Sequence, residues 1–190
     1  MLLLVGLGNP GSNSVNNRHN IGFKIIDAVN AHFKLSKQKP KFKGLLTTGN
    51  IESKKIYAIK PLTFMNNSGT AIKELIDYFK IDAKNVFVFH DDMDIDFGKI
   101  KAKFGGSSAG HNGIDSIDKF IGKDYSRVRI GIGHPKQKTK VNNHVLEDFK
   151  EDEEEKIKEI AENIVKLIPT LIEKKIDLFS SKVNQNLNGI

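Results

Sequence analysis

Residues Val86-Phe87-Val88-Phe89 form a run that is apolar on both faces of an extended chain, with no alternation between a buried and a solvated side. Such a strand is stable only where another layer covers each face, so it belongs inside a sheet that carries helices on both sides. The rest of the chain can supply those layers. Strand-like segments fall at 2–7, 45–51, 55–60, 86–90, 98–104 and 127–133. Helical spacing appears over 21–33, where Ile21, Ile25, Val29 and Phe33 recur every four residues. A second helix follows Ser68, a candidate N-cap, with Ile72, Leu75, Ile76 and Phe79 on one face, and a shorter one covers 112–121. The last long helix starts near Asp152 and carries Ile157, Ile160, Ile164, Leu167 and Leu171; Pro169 inside it is expected to kink or split it. The Asn- and Lys-rich tail from Ser180 is expected to fray at its end. Interleaved strands and helices, with no repeat and no Gly/Ser linker, predict one α/β domain over residues 1–190.

Composition removes several chemistries. The chain has no cysteine, which excludes disulfides, thiolate nucleophiles and Cys-ligated zinc together. No apolar run approaches the ~20 residues of a membrane span, and the start of the chain makes a poor signal peptide, so a cytoplasmic location is expected. Thirty Lys and Arg against 23 Asp and Glu give a formal charge of +7. The excess gathers at Lys37, Lys39, Lys41 and Lys43, at Lys99, Lys101 and Lys103 along an alternating strand, and at Lys136, Lys138 and Lys140. The acids concentrate instead at 151–155, at the positive end of a predicted helix. The basic remainder suits a polyanionic partner, or ordinary solubility.

Two motifs match well-known patterns without their contexts. Gly6-Leu7-Gly8-Asn9-Pro10-Gly11 follows an apolar strand and reads as a dinucleotide fingerprint. The residues after Gly11 are turn formers rather than the start of a helix, and Asp27 lies within a helix rather than at a strand end. Gly106-Ser107-Ser108-Ala109-Gly110 matches a nucleophile elbow, but the strand before it is studded with lysine. A serine-hydrolase alternative would use Ser108, Asp118 and His134 or His144. Three strand-to-helix junctions carry a different set of groups: Phe64-Met65-Asn66, His90-Asp91-Asp92-Met93-Asp94 and Gly110-His111-Asn112-Gly113. With Asn9, His19 and Asn20 they are rich in carboxamides and poor in nucleophiles, which suits water activation. A His oriented by an Asp acts as general base, and Asn side chains can fix a water, an amide or an oxyanion. Each residue alone also reads as an ordinary turn or structural residue, and the acids of 91–94 lack a second cluster that would complete a cation site.

Taken in order, Gly6–Gly11, Arg18-His19-Asn20-Ile21-Gly22, Pro61-Leu62-Thr63-Phe64-Met65-Asn66, His90–Asp94, Gly110–Gly113 and Arg129-Ile130-Gly131-Ile132-Gly133-His134-Pro135 resemble bacterial-type peptidyl-tRNA hydrolase over nearly the whole chain. The resemblance implies a twisted, mostly parallel mixed sheet flanked by helices. It implies an esterase that frees peptide and tRNA from peptidyl-tRNA, working as a monomer with no metal or other cofactor. By motif, His19 would be the general base, Asp91 would stabilise its reactive form, and Asn9 would help discriminate blocked from free aminoacyl-tRNA. Phe64, Asn66 and Asn112 would hold the 3′ end and the peptide, with Met65 and His111 beside them. Lys103 and Arg129 match a basic pair for the 5′ phosphate. The chain departs from the family at Ser14, where a tyrosine is usual, and in a less glycine-rich loop at 107–109. A non-catalytic tRNA-binding module is the alternative of a different class.

Overall fold

The computed structural model describes residues 1–135 and 141–188. The cluster Lys136, Lys138 and Lys140 lies outside the described residues. Seven strands form one sheet: β1 (Leu2–Gly6), β2 (Lys39–Lys41), β3 (Gly44–Ile51), β4 (Lys54–Pro61), β5 (Val86–Asp92), β6 (Ile100–Phe104) and β7 (Ser126–Gly131), in the order β2-β3-β4-β1-β5-β7-β6. The central pairs β4/β1, β1/β5 and β5/β7 are parallel. The outer pairs β2/β3, β3/β4 and β6/β7 are antiparallel, so only β3 and β6 run against the other five strands. The helices are α1 (Ile21–His32), α2 (Ser68–Phe79), α3 (Asn112–Ile121), α4 (Val141–His144), α5 (Glu151–Ile172) and α6 (Ile176–Leu187).

The two-faced strands behave as their sequences require. In β5, Phe87 and Phe89 pack with α1, α5 and α6, while Val86 and Val88 pack with α2 and α3 on the opposite face. Leu2 and Leu4 of β1 join the first cluster; Leu3 and Val5 join the second. The alternation divides one sheet between two cores. The first layer comes very close to the sheet: a Cβ on Gly22 of α1 would collide with the Leu7 amide and the Phe89 carbonyl, and one on Gly6 would collide with Gly22 itself. That glycine contact seats the start of α1 directly on the carboxyl ends of β1 and β5. Among the described residues, no helix is long and apolar enough to cross a membrane.

Several sequence expectations need correction. Ser68 is the first residue of α2 rather than its cap; its hydroxyl donates to the Met65 carbonyl at 2.9 Å. Pro169 does not split α5, which runs unbroken to Ile172. The proline removes one bond in the last turn, while Ile164, Val165, Ile168, Leu171 and Ile172 stay buried on either side of it. The tail from Ser180 is helical through Leu187, where α6 holds the edge of the sheet, and its last two residues, 189 and 190, lie outside the described residues. The exposed residues 39–41 form β2 as well as a basic cluster, a short lysine- and proline-bearing edge strand of the kind that blocks further pairing.

Candidate active site

The carboxyl ends of β1, β4 and β5 converge where loops leave toward different helices, the position at which open α/β sheets present ligand sites. A cavity of about 380 Å³ opens there. Its walls include Asn9 after β1, His19 before α1, Phe64, Met65 and Asn66 after β4, Asp91 to Asp94 at the end of β5, and Ser108 to Asn112 before α3. Val145 and Leu146 close the remaining side.

At the centre, Asp91 is buried and its Oδ1 lies 2.8 Å from His19 Nδ1 and 2.9 Å from His111 Nε2. Burial opposes the charged carboxylate, but the two imidazoles outweigh it through charge and hydrogen bonds and hold Asp91 well below the usual carboxylate range. An ionised Asp91 accepts from Nδ1–H of His19, which leaves the Nε2 lone pair of that ring as the free base. His111 caps α3: its Nδ1 accepts from the amides of Gly113 at 3.1 Å and Ile114 at 3.3 Å. With Nδ1 accepting, the ring proton sits on Nε2 and donates to Asp91. His19 Nδ1, His111 Nε2 and an Asp91 oxygen are close enough to surround a cation. A cation would need the Nε2 lone pair, forcing the proton onto the nitrogen that already faces two amide donors, so the set fits proton chemistry better than metal ligation. Beneath them His90 is buried, donates from Nδ1 to the Asp91 carbonyl at 2.7 Å, and is pushed well below the usual imidazole range by burial and then by His111.

Polar clamps position these groups. Asn9 accepts from the Met65 amide at 2.8 Å through Oδ1. Its own backbone is held at both ends by the Asn20 carboxamide, at 2.8 and 2.9 Å. The His19 amide donates to the Val145 carbonyl at 2.8 Å. Neighbouring Arg18 is buried, donates to the Asp148 carbonyl and pairs with Glu153 Oε2 at 2.6 Å.

Residues 3–189 of the chain match the family model for peptidyl-tRNA hydrolase. A peptidyl-tRNA hydrolase of Pelagibacter ubique is 72% identical over 184 residues, covering 97% of this chain and 99% of that protein. The chain belongs to the peptidyl-tRNA hydrolase family. A Bartonella henselae relative of the same name is 45% identical over 189 residues, covering 100% of this chain and 98% of its own length. The crystal structure of peptidyl-tRNA hydrolase from Acinetobacter baumannii superposes with a TM-score of 0.90 at 33% identity, over 97% of this chain and 94% of that one.

Against this family background, the cavity gathers His19, Asp91, Asn9, Phe64, Met65, Asn66, His111 and Asn112 from the sequence prediction. Ser14, Lys103 and Arg129 lie outside it. Ser14 occupies a short 3-10 turn after Gly11, where the dinucleotide pattern would need a long helix. Lys103 and Arg129 lie on β6 and β7, with Lys101 directly opposite Arg129 and Lys103 opposite Arg127, so four cations share one face. Asp92 pairs with Arg129 at 2.7 Å and Asp118 with Arg127 at 2.7 Å. Burial, then the charges of Arg129 and Arg127, lower Lys103 from its ordinary value. The serine-hydrolase set does not assemble: Asp118 is bound to Arg127 and Tyr125, and exposed His134 pairs with Asp94. Reading by local motif missed Val145 and Leu146. The Val145 carbonyl is tied to the His19 amide more than 120 residues earlier, and no local pattern carries that.

Proposed function

We propose that the chain carries out its family's reaction, hydrolysis of peptidyl-tRNA to tRNA and free peptide, with a water that His19 activates. Asp91 holds Nδ1–H of His19, and Nε2 takes a proton from water as its oxygen bonds to the ester carbonyl carbon. The carboxamides of Asn9, Asn66 and Asn112 hold the peptide and the oxyanion that forms. As the carbonyl re-forms, the bond to the ribose 3′ oxygen breaks, and that oxygen takes the proton from His19. No metal or cofactor enters the scheme. Phe64, Met65 and His111 border the peptide and the 3′ end, while Lys103 and Arg129 engage the 5′ phosphate. The protein acts as a monomer, one domain over its full length, in the cytoplasm.

The observation that carries this reading is the short His19–Asp91 hydrogen bond beside a cavity walled by carboxamides. It is tested with Asp91→Asn on an N-acetylated aminoacyl-tRNA. The expected outcome is a fall in kcat of about 10²-fold or more, because the base loses its orienting anion, with KM changed only a few-fold. An unchanged kcat with a raised KM would assign Asp91 to binding instead. Ser108→Ala should retain activity, since the Ser108 hydroxyl has no imidazole partner among the described hydrogen bonds and accepts from the Gly110 amide.

A further inference from the structure

Two imidazoles converge on a single oxygen of Asp91, and the mechanism above uses only one of them. His111 is not free to act as a second base. Its Nδ1 is committed to two amides at the start of α3, and its ring rests edge-on against His90 with centroids 4.7 Å apart. The His19 and His111 rings lie 5.0 Å apart and tilted, with Asp91 Oδ1 between their nitrogens. We infer that His111 is a positioning residue: fixed as its Nε2–H tautomer by the N-terminus of α3, it shares the Asp91 oxygen with His19 and so limits how strongly Asp91 stabilises protonated His19.

The physical reason is that one acceptor oxygen divides its charge between two donors, so each hydrogen bond is weaker than it would be alone. A lone carboxylate would hold the Nδ1 proton of His19 more tightly, and the second donor on the same oxygen weakens that hold. The other charged or titratable groups around the pair are His90 and Asp92 on β5, Arg129 on β7 bound to Asp92, Asp94 at the rim with His134, and Arg18 bound to Glu153. Of these, His90 also touches the His111 ring.

The inference rests on the proposed role of His19, and the test separates the two. His111→Asn keeps an oxygen that caps α3 but cannot reach Asp91, whereas His111→Ala loses both contacts. For both variants we expect the acid limb of the kcat/KM profile on N-acetylated aminoacyl-tRNA to move to higher pH by about half a unit to one unit. The thermal midpoint should be kept in His111→Asn and lowered in His111→Ala. Imidazole ¹⁵N and ¹H spectra read the same arrangement without turnover. The unmutated protein should show the His111 proton on Nε2, and the His19 Nδ1 proton should move downfield in His111→Asn. An unmoved acid limb, a raised KM with no pH shift, or a His111 proton on Nδ1 would each overturn the inference. If the unmutated protein releases no peptide, the functional reading fails, and the spectra alone decide the role of His111.

Discussion

At the residue scale, the site depends on a few side chains held by bonds from distant segments. Asn20 is a clear case: its carboxamide occupies both backbone groups of Asn9 and so fixes the residue that in turn holds the Met65 amide. His19 and Asp91 were legible in the sequence because each sits in a dense motif at an element boundary. Arg18 was not, since its partners Asp148 and Glu153 lie about 130 residues away. Phe64 stands out for the opposite reason: it is 69% exposed at the mouth of the cavity although its neighbour Met65 is buried. Under the proposed function this exposed ring would serve as a stacking platform for the tRNA end, in place of the ring absent at Ser14. Stacking of one base is worth about 1–3 kcal/mol, so Phe64→Ala should raise KM about tenfold with kcat nearly unchanged. Steady-state kinetics on a blocked aminoacyl-tRNA measure this, and an unaltered KM would remove Phe64 from binding.

At the element scale, periodicity located α1, α2, α3 and α5 but not α6, and the alternation in β6 was readable from Lys99, Lys101 and Lys103. What it could not show is how that edge strand is finished. Asn184 of α6 donates to the Ile100 carbonyl at 2.8 Å and accepts from the Ile100 amide at 2.9 Å. One turn earlier, Ser180 accepts from the Ala102 amide at 2.8 Å. Two helix side chains thus replace the backbone of a neighbouring strand, which is why the polar stretch from Ser180 to Leu187 forms a helix. Ile100 is buried, so Asn184→Ala leaves its backbone groups without partners and should cost about 1–3 kcal/mol. It also uncovers an unpaired edge. Chemical denaturation should show the lost stability and light scattering increased self-association. Unchanged stability would mean that water serves the edge equally well.

At the scale of the whole molecule, the sheet separates chemistry from charge. The reactive cavity lies at the carboxyl ends of β1, β4 and β5, while the cationic face runs along β6 and β7, joined to the cavity through the Asp92–Arg129 pair. The formal +7 suited a polyanion partner or ordinary solubility, and some of its lysines have partners within the chain: Lys41 lies over the rings of Phe42 and Tyr78, and Lys43 pairs with Glu74. Lys101 and Lys103 face other cations across the strand pair, an arrangement that a bound phosphate would relieve. KM for the tRNA substrate should therefore rise steeply with salt, by about tenfold or more between 50 and 200 mM. Lys103→Ala should weaken binding at low salt and flatten that dependence, and an unchanged salt slope would place the tRNA backbone elsewhere.

The central claim is that His19 is the base for the attacking water. The most direct measurement is the rate at which labelled N-acetyl amino acid is released from its tRNA by His19→Ala, beside the unmutated protein at the same pH. The thermal midpoint of each protein is recorded in parallel. The account predicts a variant that folds and binds tRNA as before but releases product about 10²–10⁴-fold more slowly. Release within a few-fold of the unmutated rate by the folded variant would contradict it.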